Sequence, residues 1–285
     1  MFRVRGRALD IEYKTPEQIH KMRAAGLVVA EALAAARHAV APGVSTADLD
    51  AVAEQVIREA GAVPSFKGYH GFPATICASI NDAVVHAIPS STAVLSDGDV
   101  ISIDCGAIVD GWHGDAAITV AVGEVDPEVL RMAGVAQDAM WAGIAAAARA
   151  VRAGRGRLSD ISHAVQQEVR RARPGRRRYG IVTDYGGHGI GTEMHQDPHL
   201  LNHGRPGRGP ELVPGLVLAI EPMLTLGGPR TVELDDGWTV VTRDGSPAVH
   251  VEHTFALLDD GVWVLTAADG GAQRLGDLIS SHAAE

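Results

Sequence analysis

Two aspartates lie in consecutive β-type runs of the sequence, where they could hold metal ions together. Asp104 interrupts the first apolar run and Asp115 the second, and the dipeptide Asp110-Gly111 between them is typical of a two-residue β-hairpin turn. With that turn, Gly106 lies opposite Asp115, so both carboxylates lie on one face of the hairpin. Such diagonal neighbours are about 7 to 8 Å apart at the backbone, a span that carboxylates can close around metal ions about 3.5 to 4 Å apart. Alone, Asp115 would more often be a turn residue or a paired surface charge.

Two glutamates and one histidine extend this set. Glu221 and Glu252 each stand in an otherwise apolar β-type run, and a buried glutamate must be neutral, paired or bound to a metal. His188 lies in the glycine-rich segment 186–191, which predicts a turn that exposes the imidazole to a cation, although a lone histidine there is usually an ordinary loop residue. Oxygen ligands with one nitrogen suit a pair of Mn²⁺, Fe²⁺, Co²⁺ or Zn²⁺ ions rather than a structural zinc. The predicted ligands are Asp104, Asp115, His188, Glu221 and Glu252.

The composition is that of a soluble globular protein. The 285 residues are 46% hydrophobic and 21% charged, and no run of about 18 apolar residues could span a membrane. Residues 1–14 contain no apolar signal region, so we expect a cytoplasmic protein. The net charge of −10 disfavours nucleic acid as the main partner. Carboxylates that surround divalent cations would contribute to this negative charge, so it is compatible with a metal site. Cys77 and Cys105 form no C-x-x-C pattern, which argues against a disulfide framework or a thiolate zinc site.

The elements that must position these side chains follow in the order helix, helix, sheet, and this order occurs twice. Helices are predicted from the Thr15-Pro16 cap to about residue 41, from Ser45 or Thr46 to 60, from 126 to about 152 and from 159 to about 173. A sheet region spans 74–122, with strands at 99–109 and 112–122, and later strands are predicted at 181–185, 216–225, 239–242, 248–258 and 262–265.

The repeated order suggests an internal duplication. Val40-x-x-Gly43 before the second helix is echoed by Val151-x-x-Gly154 before the fourth. The alternative is that any two capped helices look alike. We expect an N-terminal extension at 1–14 and one domain at 15–285, with pseudo-repeats at about 15–125 and 126–268.

An arginine-rich segment at 170–178 contains six arginines. It could contact nucleic acid, but the chain uses arginine as its usual cation and is acidic overall. We therefore interpret the segment as a solvated loop between a helix and a strand.

Taken in order, the motifs resemble those of the methionine aminopeptidases, in the pita-bread-fold family that also includes prolidase, aminopeptidase P and creatinase. The resemblance extends over about residues 12–268. The matching segments are 68–73, 79–89, 99–104, His113-Gly114-Asp115, Gly187-His188-Gly189-Ile190-Gly191, Ile220-Glu221-Pro222-Met223, 236–239 and Glu252-His253-Thr254.

The resemblance implies an α+β pita-bread fold, in which a pseudo-two-fold repeat of two helices and antiparallel strands forms a central curved sheet covered by helices. It also implies that the five residues above bind the metals, that Glu221 moves the proton, and that His86 and His195 serve the substrate. The implied methionine pocket consists of Phe66, Tyr69, Phe72, Cys77, Met194 and Trp238, for which ordinary core packing is the alternative. A monovalent cation near Asn81 is implied as well.

Several positions depart from the family pattern. Met194 stands where relatives have an aromatic residue, and His250 stands where they have a glutamine. These departures leave the metal ligands intact but leave the shape of the pocket and the monovalent-ion site open.

The implied activity is hydrolytic removal of N-terminal methionine from nascent proteins and peptides, best before a small second residue. The alternative is an X-Pro aminopeptidase or prolidase, but those enzymes usually carry a sizeable N-terminal domain, and here about 14 residues precede the first helix. Type II enzymes carry an insertion for which the 31 positions from Glu221 to Glu252 leave no room, so type I is expected. A metal-free binding protein would have lost ligands. We expect a monomer, with the ribosome as a further partner and no membrane or nucleic-acid partner.

Overall fold

The computed structural model describes residues 9–172 and 179–284. Its α-helices are Pro16–Ala39 (α1), Thr46–Glu59 (α2), Pro127–Arg152 (α3), Leu158–Ala172 (α4) and Ala272–Leu275 (α5). Its strands are Val63–Pro64 (β1), Ile76–Ile80 (β2), Ala83–Val85 (β3), Val100–Val109 (β4), Trp112–Ala121 (β5), Gly180–Ile181 (β6), Gly187–Gly189 (β7), Gln196–Leu200 (β8), Val217–Ile220 (β9), Met223–Thr225 (β10), Thr231–Glu233 (β11), Val240–Thr242 (β12), Ala248–His250 (β13), Glu252–Leu258 (β14) and Gly261–Val264 (β15).

Local capping determines where the long helices begin. At α1 the Thr15 side chain accepts from the Gln18 N–H, and the Gln18 side chain accepts from the Thr15 N–H. Ser45 and Asp48 form the same capping box at α2. The four long helices thus confirm the predicted ones, with α4 beginning one residue earlier than expected.

A nine-stranded antiparallel sheet forms the centre of the fold. Its strand order is β1-β4-β5-β14-β9-β7-β8, with β2 added on β4 and β15 on β14. Two three-stranded sheets, β13-β10-β6 and β11-β12-β3, flank it. One apolar core joins α1 and α2 to β2 and β4, and a larger one joins α3 and α4 to β9 and β14. Each helix pair therefore covers one half of the sheet, which confirms the predicted α+β architecture.

Four local predictions were wrong. The run 216–225 breaks at Glu221-Pro222 into β9 and β10, which belong to different sheets, because proline has no N–H to continue the ladder. The run 248–258 divides at Val251 into β13 and β14. Of the predicted strand 181–185, only Ile181 lies in a strand, as the second residue of β6. The segment around His188 was predicted as an exposed turn, but it forms the buried strand β7.

Two predicted features lie partly outside the described residues, namely the N-terminal extension (1–8) and the arginine-rich loop (173–178). In the parts of the chain that the structure covers, no helix combines the length and the apolar character needed to cross a bilayer.

Candidate metal centre

Neighbouring strands of the central sheet present the five predicted ligands. Asp104 lies on β4, Asp115 on β5 and His188 on β7, while Glu252 begins β14 and Glu221 directly follows β9. These five strands are consecutive in the central sheet. The ligands are thus gathered by long-range strand pairing.

The hairpin that carries the two aspartates has the predicted register. Gly106 pairs with Asp115 and Asp104 pairs with Ala117. Ala117 pairs in turn with Glu252 on its other side. The hairpin and the neighbouring strand β14 therefore hold Asp104 and Glu252 at one level of the sheet, with Asp115 two residues away along β5.

The carboxylates of this centre are buried and incompletely hydrogen-bonded. Asp115 is 3% exposed and Glu252 is 2% exposed. Among the described residues, no hydrogen-bond partner reaches Oδ1 of Asp104, Oδ1 of Asp115 or Oε1 of Glu252. Burying such oxygens without partners is costly, and bound cations would remove the cost.

His188 has the orientation of a metal-binding imidazole. Its Nδ1 donates to the Gly189 carbonyl oxygen at 2.9 Å, which leaves the lone pair on Nε2. That Nε2 lies 4.0 Å from Oδ2 of Asp115 and 3.8 Å from Oε1 of Glu221. Ligand atoms of Asp115, His188 and Glu252 all lie within 4.8 Å of one another. The donor set therefore fits divalent cations that bind several oxygen ligands together with one nitrogen ligand.

Burial and mutual repulsion shift the acids of the centre toward their protonated forms. Burial raises the pKa of Asp104 to about 7. Burial and the neighbouring carboxylates raise the pKa of Asp115 and of Glu252 well above their ordinary values. Burial opposes ionisation of Glu221 too, but the His250 and His188 rings outweigh it and lower its pKa. Glu221 is thus the acid of the set whose pKa is shifted downward.

The two further predicted histidines border the same centre. The His195 ring packs against His188 with centroids 4.3 Å apart, and its Nδ1 lies 2.9 Å from the Tyr69 hydroxyl. Burial, with the neighbouring His188, lowers the pKa of His195 to about 3. His86 follows β3 with a φ of 59°, and burial lowers its pKa as well. Both imidazoles are neutral at physiological pH.

One cavity of about 100 Å³ joins these groups to an apolar wall. Phe72 and Trp238 meet edge to face at 5.0 Å in that wall. Burial raises the pKa of Cys77 well above its ordinary value, so its sulfur is a neutral thiol. The lining residues are Phe66, Tyr69, Phe72, Cys77, His86, Asp104, Asp115, His188, Met194, His195, Glu221, Trp238 and Glu252, which are the thirteen residues predicted from the sequence. The structure brings all of them together, while their individual roles stay predictions.

The segment that carries Met194 and His195 is held by a cluster that the sequence analysis did not identify. Lys14, 5% exposed, donates from Nζ to the side chain of Gln196 at 3.0 Å and to the Glu12 carbonyl oxygen at 2.8 Å. The Glu12 carboxylate accepts from Thr192 and Gln196. The chain before α1 thereby fastens the loop that bears His195. No local sequence pattern indicates this contact, because its partners are about 180 residues apart.

The Asn81 side chain is occupied by hydrogen bonds. It donates to Asp99 at 2.7 Å and accepts from the Val100 N–H at 3.0 Å. The monovalent cation predicted near Asn81 stays a prediction.

Comparisons with known proteins agree with this picture. The sequence profile described as metallopeptidase family M24 matches residues 20–259. Methionine aminopeptidase 1 of Mycobacterium tuberculosis is 55% identical, and the match covers 93% of this chain and 97% of the relative. Methionine aminopeptidase of Clostridium acetobutylicum is 49% identical, with 90% and 98% covered.

Solved structures show the same similarity. Methionine aminopeptidase from Thermotoga maritima matches with a TM-score of 0.82 and 38% identity, over 90% of this chain and 99% of that one. Prolidase from Pyrococcus furiosus matches with a TM-score of 0.65 at 18% identity, over 90% of this chain and 66% of that one, a likeness of fold alone. These neighbours confirm the predicted pita-bread fold.

Proposed function

The chain belongs to the methionine aminopeptidases of metallopeptidase family M24, and we propose that it removes N-terminal methionine by hydrolysis at two divalent ions held by Asp104, Asp115, His188, Glu221 and Glu252. One observation carries the proposal. A single cavity unites these potential ligands with an apolar wall and two neutral histidines. Neither the ligand cluster nor the apolar wall would by itself explain a peptidase that selects methionine.

The ligand set supports a pair of ions chosen among cobalt, manganese, iron and zinc. Within the described part of the chain, three buried carboxylate oxygens lack hydrogen-bond partners, and His188 presents a free lone pair on Nε2. Such ions, when bound, supply Lewis acidity that acidifies a nearby water and polarises a carbonyl group.

Glu221 is the residue that we assign to proton transfer. Its Oε1 lies 3.8 Å from Nε2 of His188 in the same cavity, where the carboxylate can take a proton from the attacking water. The same carboxyl group can then protonate the leaving amine.

His195 and His86 are assigned to hydrogen-bond donation. Burial raises the pKa of Tyr69, so its hydroxyl stays protonated and can donate to Nδ1 of His195. That bond leaves the single proton of the neutral imidazole on Nε2, where it can donate to the oxyanion of the tetrahedral intermediate. His86, also neutral, donates to the peptide.

The apolar wall supports preference for methionine. A thioether gains dispersion and sulfur-to-ring contacts among aromatic and sulfur-bearing side chains, whereas a charged side chain would lose its hydration there. The wall contains the aromatic rings of Phe72 and Trp238 and the sulfur of Cys77. Substrates with a small second residue are proposed to be best.

Finer features rest on the resemblance. They are the type I class, a monovalent cation near Asn81, action on nascent chains at the ribosome, a monomeric state and a cytoplasmic location. The X-Pro alternative rests on likenesses of 18 to 21% identity, which concern the fold alone.

The test is to strip the protein of metal and offer the peptides Met-Ala-Ser and Ala-Pro-Ser while titrating each candidate ion. We expect methionine release from the first peptide once ions are added, and no release before. N-acetylated Met-Ala-Ser is the control, and it should stay intact. Cleavage of Ala-Pro-Ser in preference to Met-Ala-Ser would overturn the proposal.

A further inference from the structure

His250 is a buried side chain beside the metal centre to which no role has been given. It ends β13, two residues before Glu252, and is 1% exposed. Its backbone is fixed by two strands of the central sheet, because its N–H donates to Ser102 Oγ at 3.0 Å and its carbonyl oxygen accepts from Thr119 Oγ1 at 2.7 Å. The position of the ring is therefore set by the sheet.

The ring points its Nε2 at two carboxylates. Nε2 lies 3.6 Å from Oε2 of Glu221 and 3.9 Å from Oε2 of Glu252. Among the described residues this atom has no hydrogen-bond partner, and it is shielded from solvent. Leaving a buried nitrogen unpaired is unfavourable, and a shift of about 0.8 Å toward Oε2 of Glu221 would give a charge-assisted hydrogen bond. An ionised carboxylate can only accept, so Nε2 must carry the proton.

The two oxygens of the Glu221 carboxylate face different histidines. Its Oε1 faces Nε2 of His188 at 3.8 Å, while its Oε2 faces Nε2 of His250 at 3.6 Å. His188 presents a lone pair, since its Nδ1 donates to a backbone carbonyl.

We propose that His250 is a positioning residue, which donates from Nε2 to Oε2 of Glu221 and so holds Oε1 toward His188 and the metal. The proposal rests on the proposed function, since it gives Glu221 its orientation for metal binding and proton transfer. Partners of this kind typically change metal affinity or activity by about 10 to 100-fold.

The test compares His250→Leu, which fills similar space without a donor, with His250→Gln, which keeps an N–H at a similar reach. Calorimetric titration of the metal-stripped proteins with Co²⁺ gives the affinity, and Met-Ala-Ser kinetics give kcat and KM. His250→Leu should bind Co²⁺ about tenfold more weakly or worse and lose about 10 to 100-fold in kcat, with KM within about threefold. His250→Gln should stay within about threefold of the wild type in affinity and kcat.

Two results would overturn the proposal. One is wild-type affinity and kcat in His250→Leu, and the other is a His250→Gln variant as impaired as His250→Leu, which would mean that an imidazole is needed for another purpose. If the wild type bound Co²⁺ but released no methionine, the proposed function would fail, and the binding isotherms would still decide the role of His250.

A second measurement does not depend on the folding of the leucine variant. Nitrogen-15 NMR of histidine-labelled, Zn²⁺-loaded wild type should show a protonated Nε2 at His250, assigned by its loss in His250→Gln. A bare, metal-bound Nε2 would overturn the donor role.

Discussion

In the metal-free protein, ionisation of the buried acids should lower the free energy of unfolding as the pH rises from about 6.5 to about 8. Burial raises the pKa of Asp104 to about 7 and holds those of Asp115 and Glu252 well above their ordinary values. In the unfolded chain these acids have lost their protons by about pH 6. At these acids the metal-free folded state then binds more protons than the unfolded state, so their contribution to the free energy of unfolding falls with pH.

The size of the effect follows from Asp104. A pKa raised from 3.8 to about 7 costs about 4 kcal/mol once the group is fully ionised, at about 1.4 kcal/mol per tenfold change in proton affinity. About 1 kcal/mol of this is lost between pH 6.5 and pH 8. Asp115 and Glu252 increase the loss in the same direction.

Other titrating groups define the pH window. Burial lowers the pKa of His113 and of His253 to about 4, and that of His195 lies lower still, so these rings are neutral in the folded state throughout the window. In the unfolded chain they lose their protons near pH 6.5, which opposes the effect of the acids at the lower end of the window. The difference between the wild type and Asp104→Asn cancels this contribution. Burial also lowers the pKa of Lys14 to about 8, which limits the window from above.

The assay is urea unfolding of chelator-treated protein, followed by tryptophan fluorescence at constant ionic strength across the window. Between pH 6.5 and pH 8 the free energy of unfolding of the wild type should change by about 1 kcal/mol more, in the direction of lower stability, than that of Asp104→Asn. Saturating Mn²⁺ should abolish this contribution of Asp104, because metal binding displaces the proton. An equal change with pH in the two metal-free proteins would refute the reasoning.

Three substitutions test individual roles. Glu252→Ala should abolish methionine release and lower the number of bound ions, measured by plasma mass spectrometry, while Glu233→Ala on exposed β11 should change neither. His195→Ala should keep its metal and lose about 100-fold in kcat, and a normal rate with lost metal would reverse its role. Met194→Phe should discriminate against norleucine and leucine peptides about fivefold more strongly than the wild type, since a rigid ring adapts less than a methionine, worth about 1 kcal/mol. Equal ratios of kcat/KM in the two proteins would mean that Met194 only packs beneath the His195 loop.

Local patterns were sufficient to predict the hairpin and the helix starts. The Asp110-Gly111 turn alone determines that Gly106 faces Asp115, and the capping box alone determines the start of α1. Both features depend on residues that are close together in the sequence, so a single sequence was sufficient to predict them.

The strand that bears His188 could not be predicted in this way. A Cβ at Gly187 would collide with the Ala219 carbonyl oxygen, and one at Gly189 with that of Asp197, so these glycines let three backbones pack closely instead of forming a turn. A glycine-rich segment carries no side-chain alternation to show this.

The role inferred for His250 also depends on contacts distant in sequence. His250 faces Glu221, which is 29 residues earlier in the sequence. The strand is interrupted at Val251, so strand alternation does not predict that His250 and Glu252 lie on the same side. The sequence marked it only as a departure from the family pattern. The packing of strands that are distant in the sequence brings His250 to the metal centre, and no local residue pattern indicates that packing.

The claim that methionine removal depends on the five-residue centre is tested most directly by following metal occupancy and turnover in the same samples. Metal-stripped wild type and Asp104→Asn are titrated with Co²⁺, and bound ions per chain and methionine released from Met-Ala-Ser are measured at each point. We predict no release without ions, a rate that rises with occupancy and levels off at about two ions per chain, and an Asp104→Asn variant that binds fewer ions and stays inactive. Full turnover by the stripped wild type, or wild-type occupancy and rate in Asp104→Asn, would contradict the assignment.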